Sequence, residues 1–248
     1  MSASARNALF LTAWLIYLID RLVDSLSLSP DSAKSLREQF CLHHTKLWLG
    51  LIPGIATLDA GIVLLSLDRT LLLPGACLGG VAFVYLTVNY AFNQLWEIIP
   101  LKEVTIGCLF AAGTLLVLFP KLSVATPVTA RWTGTFVLLL FISLCSLNCM
   151  SIAVWERGID RSQKKHSIAT RWPAVDFSVR ISCFLLALAS AVLAAAGRQF
   201  LPLAMCLSVS ATLLAILHSI SIQRDERVAL ADLVLLTPAA LLFAELIL

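Results

Sequence analysis

Residues 132–161 read WTGTFVLLLFISLCSLNCMSIAVWERGIDR. The stretch is uncharged up to Trp155 and turns polar at Glu156 and Arg157. A helix needs roughly 20 apolar residues to cross the hydrocarbon core of a bilayer, and this run is long enough. Seven further runs, at about 5–23, 47–67, 71–95, 104–119, 179–196, 200–222 and 228–248, are as long or nearly so. Together they predict an all-α, polytopic transmembrane helical bundle of about eight spans. Composition points the same way. Of the 248 residues 59% are hydrophobic and 13% charged, with a mean hydropathy of +0.91, whereas a soluble domain carries about 25% charged residues.

So many spans leave no stretch for a separate soluble domain, and no fixed repeat or Gly/Ser linker divides the chain. A single membrane-embedded domain over 1–248 is expected. A net charge of +3 is too small for nucleic-acid binding through a basic surface. The seven cysteines form no CxxC and lie mostly inside apolar runs, where a thiol packs as a small hydrophobe. The first run ends at Asp20 without a small-residue cleavage pattern, so no removable signal peptide is expected. Pro53-Gly54 predicts a kink in the second run.

Basic residues divide unevenly between alternate breaks in the apolar pattern. Arg6, Arg69, Lys121, Arg131 and Arg198 fall on one side. On the other are Arg21, Lys34, Arg37, Lys46, Lys102, Arg157, Arg161, Lys164, Lys165, Arg171, Arg180, Arg224 and Arg227. The positive-inside tendency makes the second, richer side cytoplasmic, with both termini outside.

Two acidic pairs close runs on that side: Asp20 and Asp24, then Glu156 and Asp160. A four-residue spacing puts both carboxylates of a pair on one helical face, where they repel unless a cation sits between them. Two readings are open. The four acids are either helix-end charges solvated in the interface beside Arg21, Arg157 and Arg161, or ligands for Mg²⁺, which takes one or two carboxylates and completes its octahedron with water and phosphate oxygens. Lys102 and the cluster Lys164, Lys165, His166 and Arg171 supply cations for an anion such as a diphosphate, or else a patch for lipid headgroups. Asp59 lies well inside the second run and needs a partner or a proton. Asn89, Asn93 and Glu97 recur every four residues as a polar stripe on the third run.

With Asp20/Asp24, Glu156/Asp160, the Pro100-Leu101-Lys102 stretch and Ser167 seven residues after Asp160, the chain resembles the UbiA superfamily of intramembrane prenyltransferases over most of its length. It is similar to a short bacterial-type member lacking the family's first helix. Asp20 and Asp24 match the last two acids of the family's first motif, with Ile16 and Tyr17 where Asn and Asp usually stand. Asp160 matches the second motif, with Glu156 as a longer carboxylate. Lys102 resembles the family's loop lysine, followed by Glu103 in place of a base, and Ser167 resembles the serine of its Lys-Ser segment, preceded here by His166.

The resemblance implies a Mg²⁺-dependent enzyme that transfers a prenyl group from a prenyl diphosphate to an acceptor, aromatic or lipid-like, within the bilayer. It makes Asp20, Asp24, Glu156 and Asp160 the metal-binding and catalytic set, and Arg21, Lys102, Arg161, Lys164, Lys165 and Arg171 the diphosphate-binding set. The site would face the cytoplasm of a bacterial inner membrane. Trp14, Tyr17, Trp96 and Trp155 lie near the motifs, as carbocation-stabilising rings or as interface aromatics. Two other classes stand beside this one: a non-catalytic isoprenoid-binding or scaffold relative, motivated by Ile16 and Tyr17, and a small transporter, motivated by Asp59, Asn89 and Asn93.

Overall fold

The computed structural model describes residues 3–28, 34–91, 102–118, 128–172, 174–196 and 201–235, the side chains of 115, 117, 118 and 128–131 excepted. Among these residues it is all-α. In chain order the helices are α1 Ala3–Leu26, α2 Leu36–His43, α3 Thr45–Ser66, α4 Arg69–Ala91, α5 Lys102–Leu118, α6 Val128–Ser162, α7 Ile168–Arg171, α8 Val175–Ala196, α9 Leu201–Leu217 and α10 Arg224–Val234. Each of the eight apolar runs is helical over most of its described residues. Thr45–Ser66, Arg69–Ala91, Trp132–Ser162 and Val175–Ala196 are long and apolar enough to cross a membrane, and Leu201–Leu217 is a shorter apolar helix. This is the build of an integral membrane protein.

The boundaries differ from the hydropathy pattern where polar residues still favour helix. α6 continues past Trp155 to Ser162, so Glu156 and Asp160 stand on regular helix, as their spacing implies. α9 ends at Leu217, short of the expected 222, and 218–223 turn the chain into α10. α2 lies between apolar runs and is set by its start. The Ser35 hydroxyl accepts the Glu38 N–H at 3.3 Å while the Glu38 carboxylate accepts the Ser35 N–H at 2.8 Å, a reciprocal cap. Both α3 and α4 run through an internal proline, Pro53 and Pro74, as membrane helices tolerate.

The chain divides into two compact units, Met1–Leu95 with Ala112–Val124, and Trp96–Ala111 with Ala125–Leu248. In the first, Leu11 and Leu18 of α1 pack on Ile55 of α3, with Leu15, Trp48, Ile52 and Ile62 around them, and Ala5 packs on Leu71 of α4. Leu9 and Leu78 close on Gly113 of α5. In the second, α6 presents Val137, Leu140, Leu144 and Leu147, α8 presents Val179, Cys183 and Leu186, and α9 presents Leu207, Ala211 and Leu214 to one core. The three-and-four spacing is a single helical face in each case. Small residues let these helices approach, as van der Waals packing between membrane helices requires: Ser190, Ala204, Ser210 and Ala211 are fully buried, and the Ser208 hydroxyl donates across to the Ala187 carbonyl at 3.1 Å. A close approach in this unit is at Gly107 of α5. A Cβ there would overlap the Ser146 hydroxyl and stand 2.9 Å from the Ser146 nitrogen and 3.1 Å from the Ile142 carbonyl.

Candidate functional site

In the first unit, Leu18 and Leu22 are buried and leave Asp20 and Asp24 half-exposed on the flank of α1. Tyr90, in the last turn of α4, anchors the pair. Its hydroxyl lies 2.8 Å from the Asp20 carboxylate and 2.9 Å from the Asp20 carbonyl, and Asp24 and Arg21 act on the same phenol electrostatically. Arg21 sits over the Tyr17 ring, 5.5 Å from its centroid. Tyr17, where the resembled motif carries an acid, is therefore a cation–π partner of the intervening arginine. Tyr90 was missed in the sequence because it lies 70 residues from Asp20. The neighbouring stripe at Asn89 was the only signal on that helix.

In the second unit the acid pair is built into a helix end. Asp160 lies near the C-terminus of α6, and its carbonyl accepts the Lys165 N–H at 2.8 Å. The turn that allows this places Lys164 at φ 54°, the left-handed conformation that ends many helices and that glycine usually occupies. The Asp160 side chain bonds the Ser167 hydroxyl, with Glu156, Lys165 and Lys102 as its charged neighbours. Ser167 in turn caps α7. Its hydroxyl accepts the Thr170 N–H at 3.3 Å, and its own N–H donates to Thr170 Oγ1 at 2.9 Å. Glu103, next to Lys102 and 4% exposed, accepts the Ile168 N–H at 3.1 Å. Burial pushes its carboxyl above the usual range, against that bond. Glu103 is thus the strut that holds the start of α5 to α7.

Five of the expected residues, Lys102, Glu156, Asp160, Lys165 and Ser167, therefore form one assembly. Arg161, Lys164 and Arg171 are exposed, and the cations that act on Asp160 are Lys165 and Lys102. Arg157 contributes a feature that the pattern did not reveal: Nε and one terminal nitrogen are shielded from solvent without a hydrogen-bond partner among the described residues. Such donors are costly unless an acceptor arrives. Trp96, Asn93 and Glu97 lie outside the described residues.

No group of three or more His, Cys, Asp or Glu side chains among the described residues converges on a ready-made metal site. Each unit instead supplies two carboxylates one turn apart, a donor set that fits Mg²⁺ when water and phosphate oxygens fill the remaining positions. Asp59 is 8% exposed and accepts the Thr12 hydroxyl at 2.7 Å, which gives it a structural partner. An apolar groove of about 580 Å³ lined by Phe136, Leu185, Leu188 and Val192 lies near the opposite end of α6. At 1.5 Å per residue Phe136 is about 30 Å from Glu156, so the groove is not part of the acidic site. No protein-family model, curated protein or solved structure matches the chain.

Proposed function

We propose that the chain is a Mg²⁺-dependent prenyltransferase that moves a prenyl group from a prenyl diphosphate to an acceptor within the membrane, at a site facing the cytoplasm of a bacterial inner membrane. One observation carries the reading: Asp160 is gathered with Glu156, Lys102, Lys165 and Ser167 from segments far apart in sequence. Carboxylates and ammonium groups assembled at the end of a membrane helix suit a metal-bridged diphosphate better than a solvated helix terminus. The unsatisfied Arg157 nitrogens add donors of the same preference.

Each pair would hold metal in its own unit, Asp20 with Asp24 in the first and Glu156 with Asp160 in the second. Bound Mg²⁺ would offset charge building on the departing diphosphate. Lys102 and Lys165 would bind the phosphate oxygens directly, and Ser167 would orient Asp160. Tyr90 would orient Asp20 through its hydrogen bond. The greasy donor and product explain why such a site sits at the end of apolar helices.

The test is inorganic diphosphate release by the detergent-purified chain given C10 to C20 donors and a bacterial lipid extract. Release should require magnesium, vanish in EDTA, and fall by ~10²-fold or more in Asp160→Asn, as expected when a charge-stabilising group is lost. Unchanged release in both Asp20→Asn and Asp160→Asn would overturn the reading. A non-catalytic isoprenoid-binding relative is favoured by one observation, Tyr17 held against Arg21 where an acid would stand. That alternative predicts donor binding without diphosphate release.

A further inference from the structure

A second polar network, absent from the pattern of motifs, is buried in the core of the second unit. Ser151 of α6 is fully buried, and its hydroxyl donates to the Leu147 carbonyl at 2.7 Å. His218, just past the end of α9, reaches the same oxygen through Nε2 at 2.9 Å. On the far side of the ring, Nδ1 faces the Asp176 carboxylate of α8 at 3.6 Å. The His218 side chain is 2% exposed and the Asp176 side chain 59%.

The order Ser–His–Asp invites a nucleophilic reading, and the geometry denies it. Ser151 has no exposed surface and its hydrogen is committed to Leu147, so no substrate carbonyl can meet it. With its own hydrogen on the Leu147 carbonyl, Ser151 Oγ is left to accept, an arrangement that fits an Nε2–H imidazole. Neutral His218 then presents a bare Nδ1 to a carboxylate. In that form two acceptors face each other with no hydrogen between them, and their 3.6 Å separation is beyond ordinary N–H···O length.

We propose that His218 is a proton-operated clasp: a proton taken up at Nδ1 draws the Asp176 carboxylate into a hydrogen bond while Nε2–H stays on Ser151, so that acidification ties the first turn of α8 to α6. The proton comes from solvent by way of Asp176, the exposed member of the chain. Every element around the ring bears on the clasp. From α8, Asp176 favours the charged ring and Arg180 opposes it; from α10, Arg227 opposes it, stacked on Trp155 at 5.5 Å. α6 offers the uncharged Ser151 and Trp155, the latter ring 4.8 Å from the imidazole, with Cys183 of α8 bonded to Ser151. Burial and the two arginines outweigh Asp176 and hold the imidazole below its usual range. The clasp is therefore open at neutral pH and closes only on the acid side. It does not depend on prenyl transfer.

Histidine-selective ¹⁵N NMR of the full chain in micelles tests this, with the His218 resonances identified among the four histidines by their loss in His218→Gln or their shift in Ser151→Ala. The expected result is an Nε2–H tautomer at neutral pH and a midpoint below about 6.5. That midpoint should fall by about half a pH unit or more in Asp176→Asn. Amide exchange at the start of α8 should slow on acidification in the wild type and not in Asp176→Asn. An Nδ1–H tautomer at neutral pH, a midpoint unmoved by Asp176→Asn, or no titration above about pH 4 would overturn the clasp.

Discussion

The two acidic pairs share one spacing and have unlike surroundings. Asp20 and Asp24 stand within a continuing helix, and the Tyr90 phenol of α4 bonds the first of them. Glu156 and Asp160 stand where a helix ends, and the ending itself brings partners: the Lys165 N–H on the Asp160 carbonyl, and Ser167, which caps the next helix, on its side chain. The first pair takes support from the flank of a neighbouring helix. The second is part of a turn whose backbone, caps and cations are mutually dependent, which is the stronger basis for pre-organised binding.

The comparison extends to packing, where the largest stability effect is expected. Gly107→Ala should cost about 3 kcal/mol, the upper part of the range for overpacking, because the added methyl meets backbone atoms of Ser146 and Ile142 that cannot move aside. Gly54→Ala in the first unit, where nothing lies within 4 Å, should change stability by less than about 0.5 kcal/mol. Helicity loss in graded SDS measures both, and equal effects would break the contrast. Tyr90→Phe removes a cross-helix bond to Asp20 and should cost about 1.5 kcal/mol, the low end for a bond to a charged acceptor. If it also abolished diphosphate release, the first pair would prove as dependent on its support as the second.

Lys164→Gly should stabilise by about 1 kcal/mol, read as a rise in thermal midpoint, because glycine adopts φ 54° without the side-chain clash that lysine bears. A loss instead would show that the Lys164 side chain contributes more than its backbone costs. Glu103→Gln gives the smallest change near acid pH. Glu103 has its native pKa raised by burial, so its contribution to stability is full below the unfolded value and is lost as pH rises toward the raised one. Gln keeps the acceptor for the Ile168 N–H and carries no charge. The variant should lack that decline, and midpoints recorded between pH 4 and 8 would reveal an unchanged slope if burial were not the cause.

Much of the helical framework could be read along the chain. Runs of apolar residues report a property that each segment has by itself, the cost of exposing its backbone and side chains in the wrong solvent. That is why the runs are helical over most of their described residues and why the acid pairs were found from spacing alone. What failed to show were features set by partners distant in sequence. α2 has no long apolar run and depends on the Ser35–Glu38 cap. Glu103 read as a departure from a basic pattern, and it is the acceptor for a helix start 65 residues away.

The sequence by itself determined an all-helical membrane chain with paired carboxylates on single helical faces, because 3.6-residue periodicity and transfer energy act locally. Only the tertiary structure decided which cations act on Asp160, that Tyr90 holds Asp20, and that His218 lies between Ser151 and Asp176. Hydrogen bonds and charge pairs depend on angstrom-scale separation. The separation between residues 67 positions apart, as Ser151 and His218 are, is set by how helices pack and not by any pattern along the chain.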